Sequence, residues 1–165
     1  MDSCRIHGGI TVELGDKAFA SMTAHARETY PEECCGVVLG NDRGDETHRL
    51  ANIQNQLHGA DPEIFPRDAR TAYTLDPKEL EAILGEVGHR NLVFRALYHS
   101  HPDHDAYFSA EDKACATPFG EPTYPQTAQI VISVMGGNVG RVAVYAWNPD
   151  SEDFIETTLT RVPGR

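Results

Sequence analysis

The apolar positions of this chain change period several times, and each change marks an element. Over residues 16–30, Phe19, Met22 and Ala26 recur at helical spacing, which predicts a helix that Pro31 ends. Residues 34–39 (CCGVVL) form a short apolar run, as a buried strand does, closed by the turn-forming Gly40-Asn41-Asp42. Residues 46–53 read as a neighbouring strand and 72–75 as a short one. Between them, residues 55–70 are polar, carry Pro62 and Pro66, and read as a long loop. Asp76-Pro77-Lys78-Glu79 opens a second helix, with Asp as N-cap and Pro in the first turn; Leu80, Ile83, Leu84 and Val87 give it one apolar face. Residues 92–98 (LVFRALY) read as a strand running straight into His99-Ser100-His101. Ser109 begins a short helix that Pro118 stops. Residues 129–135 and 139–147, joined by Gly136-Gly137-Asn138, predict a hairpin, and 154–159 a last strand. Helices interleaved with strands, then a hairpin-rich end, predict an α/β fold: a mixed β-sheet with helices packed on it.

Length and charge narrow the picture. A chain of 165 residues suits a single domain spanning 1–165. Its formal net charge of −11 argues against nucleic acid and against an anionic membrane surface as partners, because both need clustered Lys and Arg. No apolar run approaches the ~20 residues of a spanning helix. The opening MDSCRIHGGITVELGD lacks a signal-like apolar core, so the expected location is cytoplasmic. Cys4, Cys34, Cys35 and Cys115 form no CxxC pair, so neither a thioredoxin site nor a cysteine-rich zinc knuckle is expected.

The chemistry concentrates in YHSHPDHDAYFSAED, residues 98–112. On a strand, residues i and i+2 point to one side, so His99 and His101 can reach one ion. Catalytic zinc takes three protein ligands and keeps an open position, and Asp112 completes three if the helix from Ser109 folds back over the strand end. A plainer reading also fits: two surface imidazoles, and a helix start in which Ser109 is the N-cap and acidic residues fill the first turn. The two are compatible, because a capped first turn can aim Asp112. His104, after Pro102 and among aspartates, reads as a surface residue.

His-Ser-His-Pro followed at the same spacing by Ser-x-x-Asp resembles the signature of the JAMM (MPN+) metalloproteases. The upstream Pro31-Glu32-Glu33-Cys34-Cys35-Gly36 resembles that family's Pro-x-Glu-x-Cys-Gly segment, in the same place between first helix and first buried strand. The resemblance spans residues 19–40 and 92–135. It implies a mixed-sheet fold related to cytidine deaminases, zinc (Zn2+) as cofactor, and hydrolysis of an amide bond after the C-terminal Gly-Gly tail of a ubiquitin-like or sulfur-carrier protein. It further implies His99, His101 and Asp112 as zinc ligands, Glu33 as general base and Ser109 as oxyanion donor. Glu32 is the rival for Glu33, and the Pro-x-Glu spacing selects Glu33. Among members, MTAHARETYPEECCGVVLG, AYTLDPKELEAI and YHSHPDHDAYFS are most similar to compact bacterial enzymes of the CysO type, which act in cysteine biosynthesis. The 55–70 stretch and the Pro-rich 117–125 depart from that pattern. Cys35 shares the parity of Glu33 and is expected near the pocket as a buried thiol, with Cys34 on the opposite side. The alternatives are a non-catalytic MPN-type interaction scaffold, which the retained ligand set argues against, and a zinc deaminase, whose Cys-x-x-Cys is absent.

Overall fold

The computed structural model describes residues 11–165, so the expectation for Cys4 lies outside it. In chain order the elements are β1 (Thr11–Gly15), α1 (Asp16–Thr29), β2 (Cys35–Asn41), β3 (Gly44–Leu50), α2 (Gln54–Ala60), α3 (Pro77–Val87), β4 (Val93–Pro102), α4 (Ala110–Ala116), β5 (Ala128–Met135), β6 (Asn138–Asn148) and β7 (Asp153–Val162). The strands make one sheet in the order β1-β7-β6-β5-β4-β2-β3. Pairs β1–β7 and β4–β5 are parallel and the rest antiparallel, so the sheet is mixed and helix-flanked, as expected.

Strand alternation assigns the two faces. Cys34, Val38, Ala96, Tyr98, Ile130 and Ile132 turn to one side, where α1 covers them with Ala18, Met22 and Ala26. Cys35, Val37 and Leu39 turn to the other, under Leu80, Ile83 and Val87 of α3. A third cluster joins Val131, Ala143, Tyr145 and Phe154 to Phe108 and Ala116 at the two ends of α4. The sheet is buried on both sides here, which is why β2 and β5 are buried almost throughout and not at alternate residues only.

Four regions differ from expectation. The polar stretch 55–70 contains helix α2, entered through a turn in which Asn52 Oδ1 accepts from Gln54 N at 3.0 Å, a local bond that hydrophobic periodicity does not reveal. Residues 72–75 form no strand but a single bridge, Asn52 to Leu75. Strand β4 runs on through His-Ser-His to Pro102, because it lies between β2 and β5 and its backbone groups have partners on both sides. The edge strand β1 had no counterpart in the sequence reading.

Candidate metal centre and catalytic cleft

Strand register builds the site. Cys35 pairs with His99, and Cys34 and Ser100 exchange two bonds: Ser100 N donates to Cys34 O at 3.1 Å, and Cys34 N to Ser100 Oγ at 2.8 Å. One step further along this antiparallel pair, Glu33 faces His101. Glu33, Cys35, His99 and His101 therefore share a face, the one opposite α1. Glu33 is held by its backbone, its N–H donating to Ala69 O at 2.7 Å and its carbonyl accepting from Asn52 Nδ2 at 3.0 Å. The same Asn52 also bonds Ala72 O, Gln54 N and Thr74 N, so one amide ties the Glu33 turn to the 52–75 segment that walls the cleft.

Helix α4 brings in the third group. Ser109 Oγ accepts from Asp112 N at 3.0 Å, and Ser109 N donates back to Asp112 Oδ2 at 2.8 Å, a reciprocal capping box. The cap and the convergence of Asp112 on the histidines are thus one feature. His99 Nε2 lies 3.1 Å from His101 Nε2 and 3.3 Å from Asp112 Oδ1, and His101 Nε2 lies 3.5 Å from Asp112 Oδ2. All three residues are buried, and together they form a group able to hold a metal ion.

The donor set fits zinc. Ligands ~2.0–2.1 Å from a tetrahedral ion stand about 3.3 Å apart, close to the spacings here. His101 Nδ1 sits 2.9 Å from the Asp105 carbonyl, which makes Nδ1 the protonated nitrogen and leaves the Nε2 lone pair facing the other two donors. Tyr73 stacks on the His99 ring at 4.3 Å, and Tyr107 leans on His101 at 5.0 Å. Burial works to raise the Asp112 carboxyl, but hydrogen bonding to His101 and His99 outweighs it and holds the group far below the usual carboxylate range. An ionised carboxylate facing two imidazole nitrogens is a site for a cation.

Glu33, 7% exposed, lines a cleft of about 730 Å³ with His101, Ser109 and Asp112. Burial pushes its carboxyl up to about 8; His101 and Arg67 pull the other way, and Asp112 adds to the rise. A cation at the three donors would draw Glu33 back towards its ionised form. Glu32 is instead on the outside, bonded to Asn55 Nδ2 at 2.9 Å. His104 is exposed, but it borders the cleft and was read from sequence only as a surface residue. Cys34 and Cys35 turn to opposite faces and both are buried; burial pushes Cys34 up to about 12 and raises Cys35 too, as inert thiols require. Asn52, Arg67, Tyr73 and Tyr107 complete the surroundings. Sequence reasoning missed them, because only Tyr107 lies within the motif segment and the others come from the stretch around α2.

With this geometry in view, the comparisons are specific. Residues 15–151 match the family of prokaryotic homologs of the JAB domain. The chain belongs to that family. This agrees with the JAMM resemblance of its motifs. It is 29% identical over 146 residues to a desampylase of Haloferax volcanii, covering 84% of this chain and 89% of that protein. It is 33% identical over 97 residues to a CysO-cysteine peptidase of Mycobacterium tuberculosis, covering 59% of this chain and 60% of the relative. Among solved structures, a protein from Desulfitobacterium hafniense matches with a TM-score of 0.67 over 92% of this chain and 93% of the other; at 23% identity this speaks to the fold alone. A Salinibacter ruber protein matches with a TM-score of 0.58 at 27% identity, over 92% of this chain and 91% of the other. Among the described residues no helix is long and apolar enough to cross a membrane.

Proposed function

We propose that this JAB-family chain is a zinc peptidase that hydrolyses the amide bond after the C-terminal Gly-Gly of a ubiquitin-like or sulfur-carrier protein. The observation that carries the reading is the convergence of His99, His101 and Asp112 beside a buried carboxyl, Glu33, in one cleft. The named relatives, a desampylase and a CysO-cysteine peptidase, support the substrate class.

His99 and His101 through Nε2, and Asp112 through its carboxylate, would hold the zinc. When bound, zinc supplies Lewis acidity, polarising the scissile carbonyl and making water a stronger nucleophile. Glu33 takes the proton from the attacking water and delivers it to the leaving nitrogen, and its burial keeps bulk water from competing for that proton. Ser109 Oγ already accepts one bond from Asp112 N, so its own O–H is free to donate to the developing oxyanion. Asn52 keeps Glu33 in register with His101. An extended glycine tail passes close to these groups because it has no side chains to clash.

A carrier ending in Gly-Gly-Cys is the first substrate to test and a lysine-linked carrier conjugate the second. The purified protein should hold about one zinc per chain, and Asp112→Ala should lose most of it. Mass spectrometry should show loss of one cysteine from the carrier, blocked by chelation. A protein that takes up no zinc under metal-preserving conditions would overturn the metal assignment. Zinc-loaded protein inert toward both substrates would overturn the substrate class.

A further inference from the structure

Most of the formally charged side chains that line the cleft are acidic. Glu33, Glu111 and Asp112 line it, whereas Arg67 is the one Lys or Arg doing so among the described residues. In a chain of net charge −11, a lone guanidinium in that position calls for an explanation. Its backbone is anchored: buried Gln54 donates through Nε2 to Arg67 O at 2.8 Å. Its side chain reaches across the cleft to α4, where a terminal nitrogen lies 2.8 Å from Glu111 Oε1. The two side chains are 50% and 61% exposed, so the pair contributes little net free energy and exchanges readily. Arg67 lines the same cleft as Glu33 and Asp112, the latter following Glu111 in α4. Its charge is also felt at Glu33.

We propose that Arg67 is a specificity-determining residue: it receives the α-carboxylate of an amino acid joined through its nitrogen to the carrier's last glycine, with Glu111 holding the guanidinium in place until that carboxylate arrives. The inference rests on the peptidase reading above. The chemistry follows from the leaving group. In an amino acid the carboxylate carbon is two bonds from the scissile nitrogen, so an anion necessarily enters the cleft. A lysine side-chain amine brings only methylenes to that place. Without Arg67 the entering carboxylate would meet only Glu33, Glu111 and Asp112 as formally charged side chains, whereas a guanidinium fork matches it with two parallel bonds. Arg67 therefore favours release of a free amino acid over cleavage of an isopeptide.

The test compares two carriers ending in Gly-Gly-Cys, one with a free carboxylate and one with a terminal carboxamide. The free acid should show a KM roughly tenfold lower, as expected for a charge-assisted bond. Arg67→Gln should bring the ratio of the two towards one, Arg67→Lys should keep part of it, and Glu111→Gln should widen it by removing the competitor. A second readout needs no turnover: calorimetry of zinc-loaded Glu33→Gln protein with a Gly-Gly-Ser peptide as acid and as amide, the thiol left out so that it cannot ligate metal. The acid should bind about tenfold more tightly, and Arg67→Gln should remove the difference. Equal handling of acid and amide by the wild type, or a preference that survives Arg67→Gln, would overturn the role of Arg67 and leave the peptidase reading intact. Cleavage of lysine-linked conjugates with neglect of the cysteine adduct would do the same. Inertness toward every carrier, with the Arg67-dependent peptide preference still present, would instead overturn the peptidase reading alone.

Discussion

Glu33 is a buried titratable group and His25 a half-buried one, and their shifts act on stability in opposite senses. Glu33 carries a carboxyl whose burial raises it to about 8, so its ionised form costs stability that the fold bears for the sake of the cleft. Glu33→Gln keeps the shape and removes the proposed proton carrier. Turnover should fall by at least a hundredfold with zinc content unchanged, while the metal-free variant should melt no lower than the metal-free wild type. Loss of metal in Glu33→Gln would instead make Glu33 structural. His25 lies on α1, its Nδ1 2.8 Å from the buried Tyr98 hydroxyl. Burial, aided by Arg49, lowers it to about 4. Its folded value is below the unfolded one near 6.5, so the unfolded chain takes the proton first as pH falls. The stability it contributes is present above about 6.5 and is lost as pH drops towards 4. Glu33 acts with the opposite sign in this range, so the readout is the difference between proteins: from pH 7 to 4.5 the wild type should lose stability relative to His25→Gln, and a constant difference would exclude His25 as a source of the pH dependence.

Short α4 shows how a local motif becomes part of a site. Its capping box satisfies two backbone donors and, in doing so, fixes the rotamer of Asp112. The bond that orients Asp112 Oδ2 comes from the Ser109 backbone N–H, which alanine retains. Ser109→Ala should therefore keep its zinc while losing about 1 kcal/mol of stability through the missing cap. If the hydroxyl also serves the oxyanion, turnover per zinc should fall a further tenfold or more. A melting-point drop with normal turnover would leave Ser109 as a cap only. The stretch around α2 acts in the same way through Asn52, whose four bonds tie the start of α2 and residues 72–74 to the Glu33 turn.

The sheet as a whole curls until its ends meet. Strands β1 and β3 are at opposite ends of the strand order, yet Gly15 N donates to Asp45 Oδ2 at 2.7 Å. The Asp45 side chain is fully buried, with Arg95 Nε 2.6 Å from Oδ1 and Arg165 Nε 3.3 Å from Oδ2. A Cβ at Gly15 would stand 2.2 Å from the Arg165 carbonyl oxygen, so only glycine permits this approach. Asp45→Ala would strand two arginines and one backbone donor. It should cost about 3 kcal/mol in denaturant unfolding, with zinc binding retained in the folded protein because the cluster is remote from the metal centre. A cost below about 0.5 kcal/mol would mean that the closure contributes nothing to stability.

How much of this was legible along the chain depends on the reach of each interaction. Helices α1 and α3, the buried runs of β2 and β5 and the β5–β6 hairpin were readable, because periodicity, Asp76 as N-cap and Gly136-Gly137 act over a few residues. His99 and His101 were readable as a pair for the same reason, since a strand turns alternate residues to one side. Asp112 was readable as a third ligand only on the condition that the helix from Ser109 folds back, the resemblance added Glu33 and the oxyanion role of Ser109, and no local pattern could establish their convergence. Asp112 meets the histidines because α4 folds back over the end of β4, and Glu33 meets them through the β2–β4 register. Helix α2 stayed hidden because it is short and polar and is entered through a side-chain turn bond, and β1 because its partner β7 lies at the far end of the chain. Arg67, Tyr73 and Asn52 reach the cleft from 52–75 through long-range contacts, and a sequence carries no periodic signal for those.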